Sequence, residues 1–263
     1  MHLKTPSQLT DSASSVSLVK TTQWIESFLA KPHPELGRPG VVCPFVPKSL
    51  RLETIQMVEI SAKGMSQSNL EELVKECRET FLAQFPQRGK LAIYKALLLV
   101  FPDVSDDQCD LIDRVQQTLK PFFVEKGLML GEFHRSNQSP GLHNSDFRPL
   151  QSPVPMLAIR FMTEADLPFL SRVTDSPQLR VRYLEAYLNH MVDMGDNTKR
   201  IKAKRALIQA RQQADVLSVK CPLKRLGLFV QRMVAGGILP FETFYGQLQY
   251  LWHTALPRIF GQL

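Results

Sequence analysis

Between Gly127 and Phe161 the chain reads GLMLGEFHRSNQSPGLHNSDFRPLQSPVPMLAIRF, two apolar runs joined by a connection with no periodicity of its own. Leu128 to Phe133 and Met156 to Phe161 are short and apolar, and they read as strands. The connection from His134 to Pro155 is 22 residues long. Structureless loops of that length inside a compact domain are usually functional or mobile. Pro149, Pro153 and Pro155 stiffen this one, and Leu142 and Phe147 can anchor it, so it can hold side chains in fixed positions.

A second proline-rich stretch, KPHPELGRPGVVCPFVPKSL, precedes it at residues 31–50. Prolines at 32, 34, 39, 44 and 47 exclude helix and regular sheet interior there. Yet Val41, Val42, Phe45 and Val46 are apolar, so the stretch packs on a core wall or lines a pocket.

The remaining pattern supplies the frame. A short helix is expected from about Thr22 to Ala30, with Trp24, Ile25, Phe28 and Leu29 on its apolar face. Leu52 to Ile60 reads as a strand. Ser68-x-x-Glu71 is a capping box opening a helix that carries Leu70, Leu73, Val74, Cys77 and Phe81 at helical spacing. Leu91 to Phe101 suits a buried strand. Ser105-x-x-Gln108 opens another helix, which Pro121 is expected to interrupt. The order β-α-β-α-β-β predicts an α+β fold with an antiparallel or mixed sheet of about four strands and helices on one face. The strand order stays open.

Ser176-Pro177 starts a further helix, and Gly195 is its expected stop. A basic helix from Lys199 to Lys220 follows, broken by Cys221-Pro222. Two apolar helical segments, 223–235 and 241–255, end the chain. Three parts result: a mobile N-terminus over 1–20, an α+β domain over 21–195, and a basic helical extension over 196–263.

Charge follows this division. The net charge is +7, but residues 199–263 alone hold eleven Lys and Arg against two Asp and Glu. A basic, partly apolar end points to an anionic membrane surface or an acidic protein partner. No motif for nucleic acid accompanies it. The N-terminus has no apolar signal core, and the longest stretch free of charge, Thr243 to Pro257, is short of the ~20 residues of a spanning helix. Four scattered cysteines form no zinc or disulfide pattern, which fits a reducing compartment. The expected location is the cytoplasm, with the tail at a membrane surface.

No GxGxxG, P-loop, HExxH or GxSxG is present, which argues against the common nucleotide, metalloprotease and α/β-hydrolase classes. Candidate chemistry therefore gathers in the two proline-rich loops. Cys43, between valine and proline, is a candidate nucleophile, with His134 as its base if the fold brings them together. Its Cys-Pro dipeptide, like Cys221-Pro222, is also the kind found in haem-regulatory motifs. Arg38, Arg148 and Arg160, with Arg135 nearby, could converge on a carboxylate or phosphate. His143, Asn144 and Asp146 complete the candidate ligand set. Glu132, His134, His143 and Asp146 could compose a two-histidine carboxylate metal site if the loop folds back. Against all of these stands a plain alternative: thiols pack in cores, and loop histidines and arginines tie down loop carbonyls.

Two segments, GRPGVVCPFVPKSL and LKPFFVEKGLMLGEFHRSNQSPGLHNSDFRPLQSPVPMLAIRFM, resemble an uncharacterised bacterial family, the domain of unknown function 6875, over roughly residues 20–195. The resemblance implies a shared fold and a shared site, and it carries no activity. From the residues themselves the expectation is a small anionic or conjugated ligand held between the proline-rich loops, in an accessory or biosynthetic enzyme. The alternatives are a non-catalytic scaffold carried to a membrane or protein by its tail, and a haem-binding or haem-sensing protein. No cofactor is specified by the sequence.

Overall fold

The computed structural model describes residues 3–9, 15–85, 89, 91–192 and 197–220, with side chains to Val216. In chain order the main elements are α1 (Val16–Trp24), α2 (Val46–Arg51), β1 (Ile55–Glu59), α3 (Gln67–Gln84), β2 (Ala96–Val100), α4 (Cys109–Val124), β3 (Leu128–Phe133), β4 (Met156–Phe161), α5 (Leu167–Leu170), α6 (Pro177–His190) and α7 (Asn197–Lys220). Two compact units divide the chain, one ending at Leu207 and the other beginning at Ile208. The sheet belongs to the first.

The fold is α+β, built on a mixed sheet in the order β1-β2-β4-β3. β1 and β2 are parallel, so the chain must cross over between them, and α3 makes that crossing. β4 enters between β2 and β3, antiparallel to both. The 22-residue loop is thus the connection between two neighbouring antiparallel strands.

Alternation assigns each strand residue to a face. Leu97, Leu99, Leu128, Leu130, Leu157 and Ile159 point to one side and pack against α3 and α4. On α4 the stripe Ile112, Val115, Leu119 and Phe123 is buried to within 2%. Each such side chain contributes about 1.5–3 kcal/mol by leaving water. Pro121 does not break α4, because it lies in the last turn and the buried Phe123 and Val124 beyond it hold the helix end in place.

Ile55, Met57, Leu98, Val100 and Met156 point to the opposite side. That face is covered by α1, by the turn after it, and by the first proline-rich stretch. α1 starts at Val16, earlier than its apolar spacing suggests, and Leu9 and Leu18 join this core. So residues 3–9 and 16–20 pack on the domain. Ile25–Leu29 continues α1 as a π-helical turn, closed by an Ala30 N–H to Ile25 carbonyl bond of 2.9 Å.

Each sheet edge has backbone groups engaged from outside the sheet, at one residue each. Lys4 bridges Met57 through two backbone bonds of 2.8 and 3.0 Å. At the other edge the Gln116 amide donates to the Leu130 carbonyl at 2.9 Å.

The proline-rich stretch does contain a helix. α2 begins at Val46 because Pro47 sits in the first turn, where its missing N–H costs nothing. The α3 cap is Ser66, which accepts from Asn69, rather than Ser68. α6 starts on Ser176 and Pro177 and ends at His190, before Gly195. No helix among the described residues is long and apolar enough to cross a membrane. Cys221-Pro222 and the apolar segments 223–235 and 241–255 lie outside the described residues.

Candidate functional site

A cavity of about 220 Å³ lies beneath the π-helical turn on the second face of the sheet and extends round the β3 edge to Gln116 and Lys120 of α4. Register explains its origin. Leu98 pairs with Ala158, and Ala158 with Gly131, so the sheet becomes shallow toward the β3 edge. Two small residues side by side leave room that larger ones would fill. Trp24, Ile25 and Leu29 roof the space, and Leu98, Phe133 and Met156 wall it. Trp24 stands edge-on to Phe133 at 5.6 Å and stacks on Phe28 at 5.9 Å, which fixes the roof. Both proline-rich segments reach the lining, the first through Cys43 and Val46 and the second through Leu150.

Cys43, Arg160 and Glu132 are the three sequence candidates that line the cavity. Cys43 is half-buried, and its N–H donates to the Leu29 carbonyl at 2.9 Å. Arg160 donates from both terminal nitrogens to the carboxylate of Asp166, which is 2% exposed, and from one of them to the Phe161 carbonyl. Asp166 also accepts from the Thr163 amide at 2.7 Å and the Thr163 hydroxyl at 3.0 Å. Burial opposes the charge on Arg160, but the Asp166 carboxylate outweighs it and raises the guanidinium pKa. Arg160 is therefore already neutralised by the protein.

Three charged residues line the cavity at the β3 edge: the cations Lys120 and Arg172 and the carboxylate Glu132. Lys120 donates to the Phe169 carbonyl at 3.1 Å and lies over the Tyr183 ring at 4.9 Å. Arg172 lies over the Phe169 ring at 5.4 Å. None of the three forms an ion pair within 4 Å among the described residues. Burial lowers the Lys120 pKa, offset in part first by the Asp175 carboxylate and then by Glu132, and burial raises that of Glu132, which Asp113 reinforces and Lys120 and Arg172 oppose.

The other sequence candidates sit elsewhere. His134 is 3% exposed, with Nε2 at 2.9 Å from Asp113 and Nδ1 at 3.0 Å from the Ser136 hydroxyl. It joins the end of β3 to α4 and is not in the cavity lining beside Cys43. Arg38 donates to the Pro39 and Val42 carbonyls, and Arg148 to those of Ser145 and Phe147. Asn144 reaches across to the Glu35 carbonyl at 2.9 Å and accepts from the Asp146 amide at 3.0 Å. His143 and Asp146 are exposed. Arg135 faces Asp106 at 3.7 Å on the surface. The two proline-rich loops do meet, through Phe147 packed on Leu36 and Val42 and stacked on His33 at 4.8 Å. Among the described residues, no three His, Cys, Asp or Glu side chains are grouped as a metal ion would need.

Sequence reasoning did not single out Trp24, Lys120 or Arg172 for the site. Gln116 and Lys120 are one turn apart on α4, and that spacing is a usable signal only once β3 is known to be its neighbour.

No curated protein and no solved structure matches the chain. The profile of the domain of unknown function DUF6875 matches residues 18–202, which contain the sheet, both proline-rich loops and every residue lining the cavity. The chain belongs to the DUF6875 family.

Proposed function

We propose that the domain binds a small, largely apolar ligand carrying an anionic group, with the apolar part under Trp24 and the anion at the β3 edge. The observation that carries this is the presence of Lys120 and Arg172 on an apolar cavity without an ion-pair partner among the described residues. A partly buried cation costs free energy unless it is paired. Asp166 does this for Arg160; Asp175 and Glu132 act on Lys120 without an ion pair within 4 Å, and a ligand carboxylate would complete the compensation at Lys120 and Arg172. Trp24 reports on the site, since the chain has one other tryptophan, Trp252. In a Trp252→Phe background, 3-phenylpropionate should change Trp24 fluorescence saturably. Ala158→Phe fills the hollow and should abolish the change. An equal, unsaturated response in both proteins would reject the reading.

Cys43 supports a second reading. A half-buried thiol on the apolar wall of a cavity that also holds Lys120 and Arg172 at its β3 edge suits a conjugated ring carrying carboxylates, and haem is one such ligand. Adding haemin to the full chain should then give a visible spectrum that Cys43→Ala alters. A spectrum identical to that of free haemin would end it.

The extension supports a proposal of its own. Ala203, Leu207 and Ala210 are the buried stripe of α7, while Ile201, Ile208 and Val216 are exposed with Lys202, Lys204 and Arg205 beside or between them. Exposed aliphatics flanked by cations suit an anionic bilayer surface. At about 1 kcal/mol per cation, replacing these three residues with Gln should weaken binding to phosphatidylglycerol vesicles about 100-fold. Unchanged co-sedimentation would reject the membrane as partner.

A further inference from the structure

The charges at the β3 edge say more about the ligand than its sign. Lys120, Glu132 and Arg172 line the same cavity and act on one another electrostatically, while Asp175 acts on Lys120 and Asp113 on Glu132 from outside the lining. Two cations would suffice for a simple carboxylate. Glu132 adds an acceptor that repels such a ligand unless the ligand also has a cation. Its side chain forms no ion pair among the described residues, although Lys120 and Arg172 are near enough to influence it. Arg160 is not a competing anion site, because both its terminal nitrogens are spent on Asp166.

We infer that the ligand is a zwitterion, an α-amino acid or close derivative with an apolar side chain. Its carboxylate meets Lys120 and Arg172 and its ammonium Glu132 at the β3 edge, where Glu132 shares the α4 face with Leu130, and its side chain passes round that edge into the hollow between Trp24, Ala158 and Gly131. The shape agrees with the charge. The hollow of about 220 Å³ is apolar on most sides and polar at the β3 edge, as a head-and-side-chain ligand requires. The inference rests on the cavity being a binding site, as proposed above, and it assigns Glu132 the role that separates amino acids from plain acids.

Three probes test it with the full chain: L-phenylalanine, 3-phenylpropionate, which lacks the ammonium, and 2-phenylethylamine, which lacks the carboxylate. L-Phenylalanine should bind more tightly than either of the others. Glu132→Gln keeps the shape and should weaken L-phenylalanine about 10- to 100-fold, the range expected when a charged hydrogen bond is lost. The same variant should leave 3-phenylpropionate unchanged or bind it more tightly. Lys120→Met should weaken both acids and spare the amine. If 3-phenylpropionate binds at least as well as L-phenylalanine and Glu132→Gln leaves that order intact, the zwitterion is overturned while the cavity stands. If no probe binds saturably, the cavity reading falls as well. Thermal melting of each variant separates lost binding from lost fold.

Discussion

Gly37 and His143 belong to different proline-rich loops and touch through their backbones: a Cβ at Gly37 would lie 2.6 Å from the His143 carbonyl oxygen. Gly37 also has φ +73°, in the left-handed region that side chains other than glycine rarely adopt. Close approach and backbone conformation therefore both require glycine. Gly37→Ala should destabilise the domain by about 1–3 kcal/mol, since strain and the displaced loop act together. Denaturant unfolding measures it, and a loss below about 0.5 kcal/mol would mean that the loops separate freely.

Asp166 is the counter-ion of Arg160 and the cap of Thr163 at once. Asp166→Ala leaves a guanidinium without its carboxylate and a buried amide without its acceptor. Breaking a fully buried pair costs about 3–5 kcal/mol, and because Arg160 is 32% exposed the loss should be at the lower end, about 2–3 kcal/mol. The melting midpoint should fall by roughly 4–12 °C. A shift of 1 °C or less would show that solvent in the cavity replaces Asp166.

Much of the fold is legible in the sequence because strand and helix periodicity depend on neighbours along the chain. Ile55 and Met57 share a face as their spacing predicts, and the Ser105 capping box and the Ser176-Pro177 start are in place. The site is less legible, for two physical reasons. A 22-residue loop without regular structure must satisfy its backbone with side chains. Arg148, Asn144 and Asn137 are spent on that task, the last through a 2.9 Å bond from the Ser139 amide. Spare-looking polar residues in such a loop are therefore poor guides to chemistry. The cavity, in turn, arises from Ala158 beside Gly131, and that juxtaposition depends on strand register, which the sequence left open.

The thiols should react in an order set by burial. Cys77 and Cys109 are at most 1% exposed, and burial raises the thiol pKa of both, that of Cys77 to about 11. Thiolate is the reactive form, so both should resist alkylation in the folded protein. Cys43 opens onto the cavity. In a Cys221→Ser background, iodoacetamide followed by peptide mass mapping should label Cys43 at least about 10-fold faster than the other two. A cavity ligand should slow that labelling. Labelling of Cys77 at the same rate would mean that α3 opens on the timescale of the reaction.

Glu132 and Lys120 give the domain opposite pH dependences in separate windows. Burial raises the Glu132 pKa above its ordinary value of 4.5, so the fold binds this proton more tightly than the unfolded chain does. The stabilisation is complete below the ordinary value and is lost as pH rises through the raised one. Burial lowers the Lys120 pKa below 10.5, so its contribution is lost as pH falls through the lowered value and is recovered above the ordinary one. Glu132→Gln should flatten the acidic slope and Lys120→Met the alkaline one, each leaving the other in place, as urea unfolding across pH would record. An ammonium beside Glu132 should reverse the first effect, because it favours the carboxylate. L-Phenylalanine should then release a proton from Glu132 near its raised pKa, and its affinity should rise with pH through that window. Calorimetry in two buffers of different ionisation enthalpy detects the released proton, and equal heats in both, in wild type as in Glu132→Gln, would show that Glu132 does not meet the ligand.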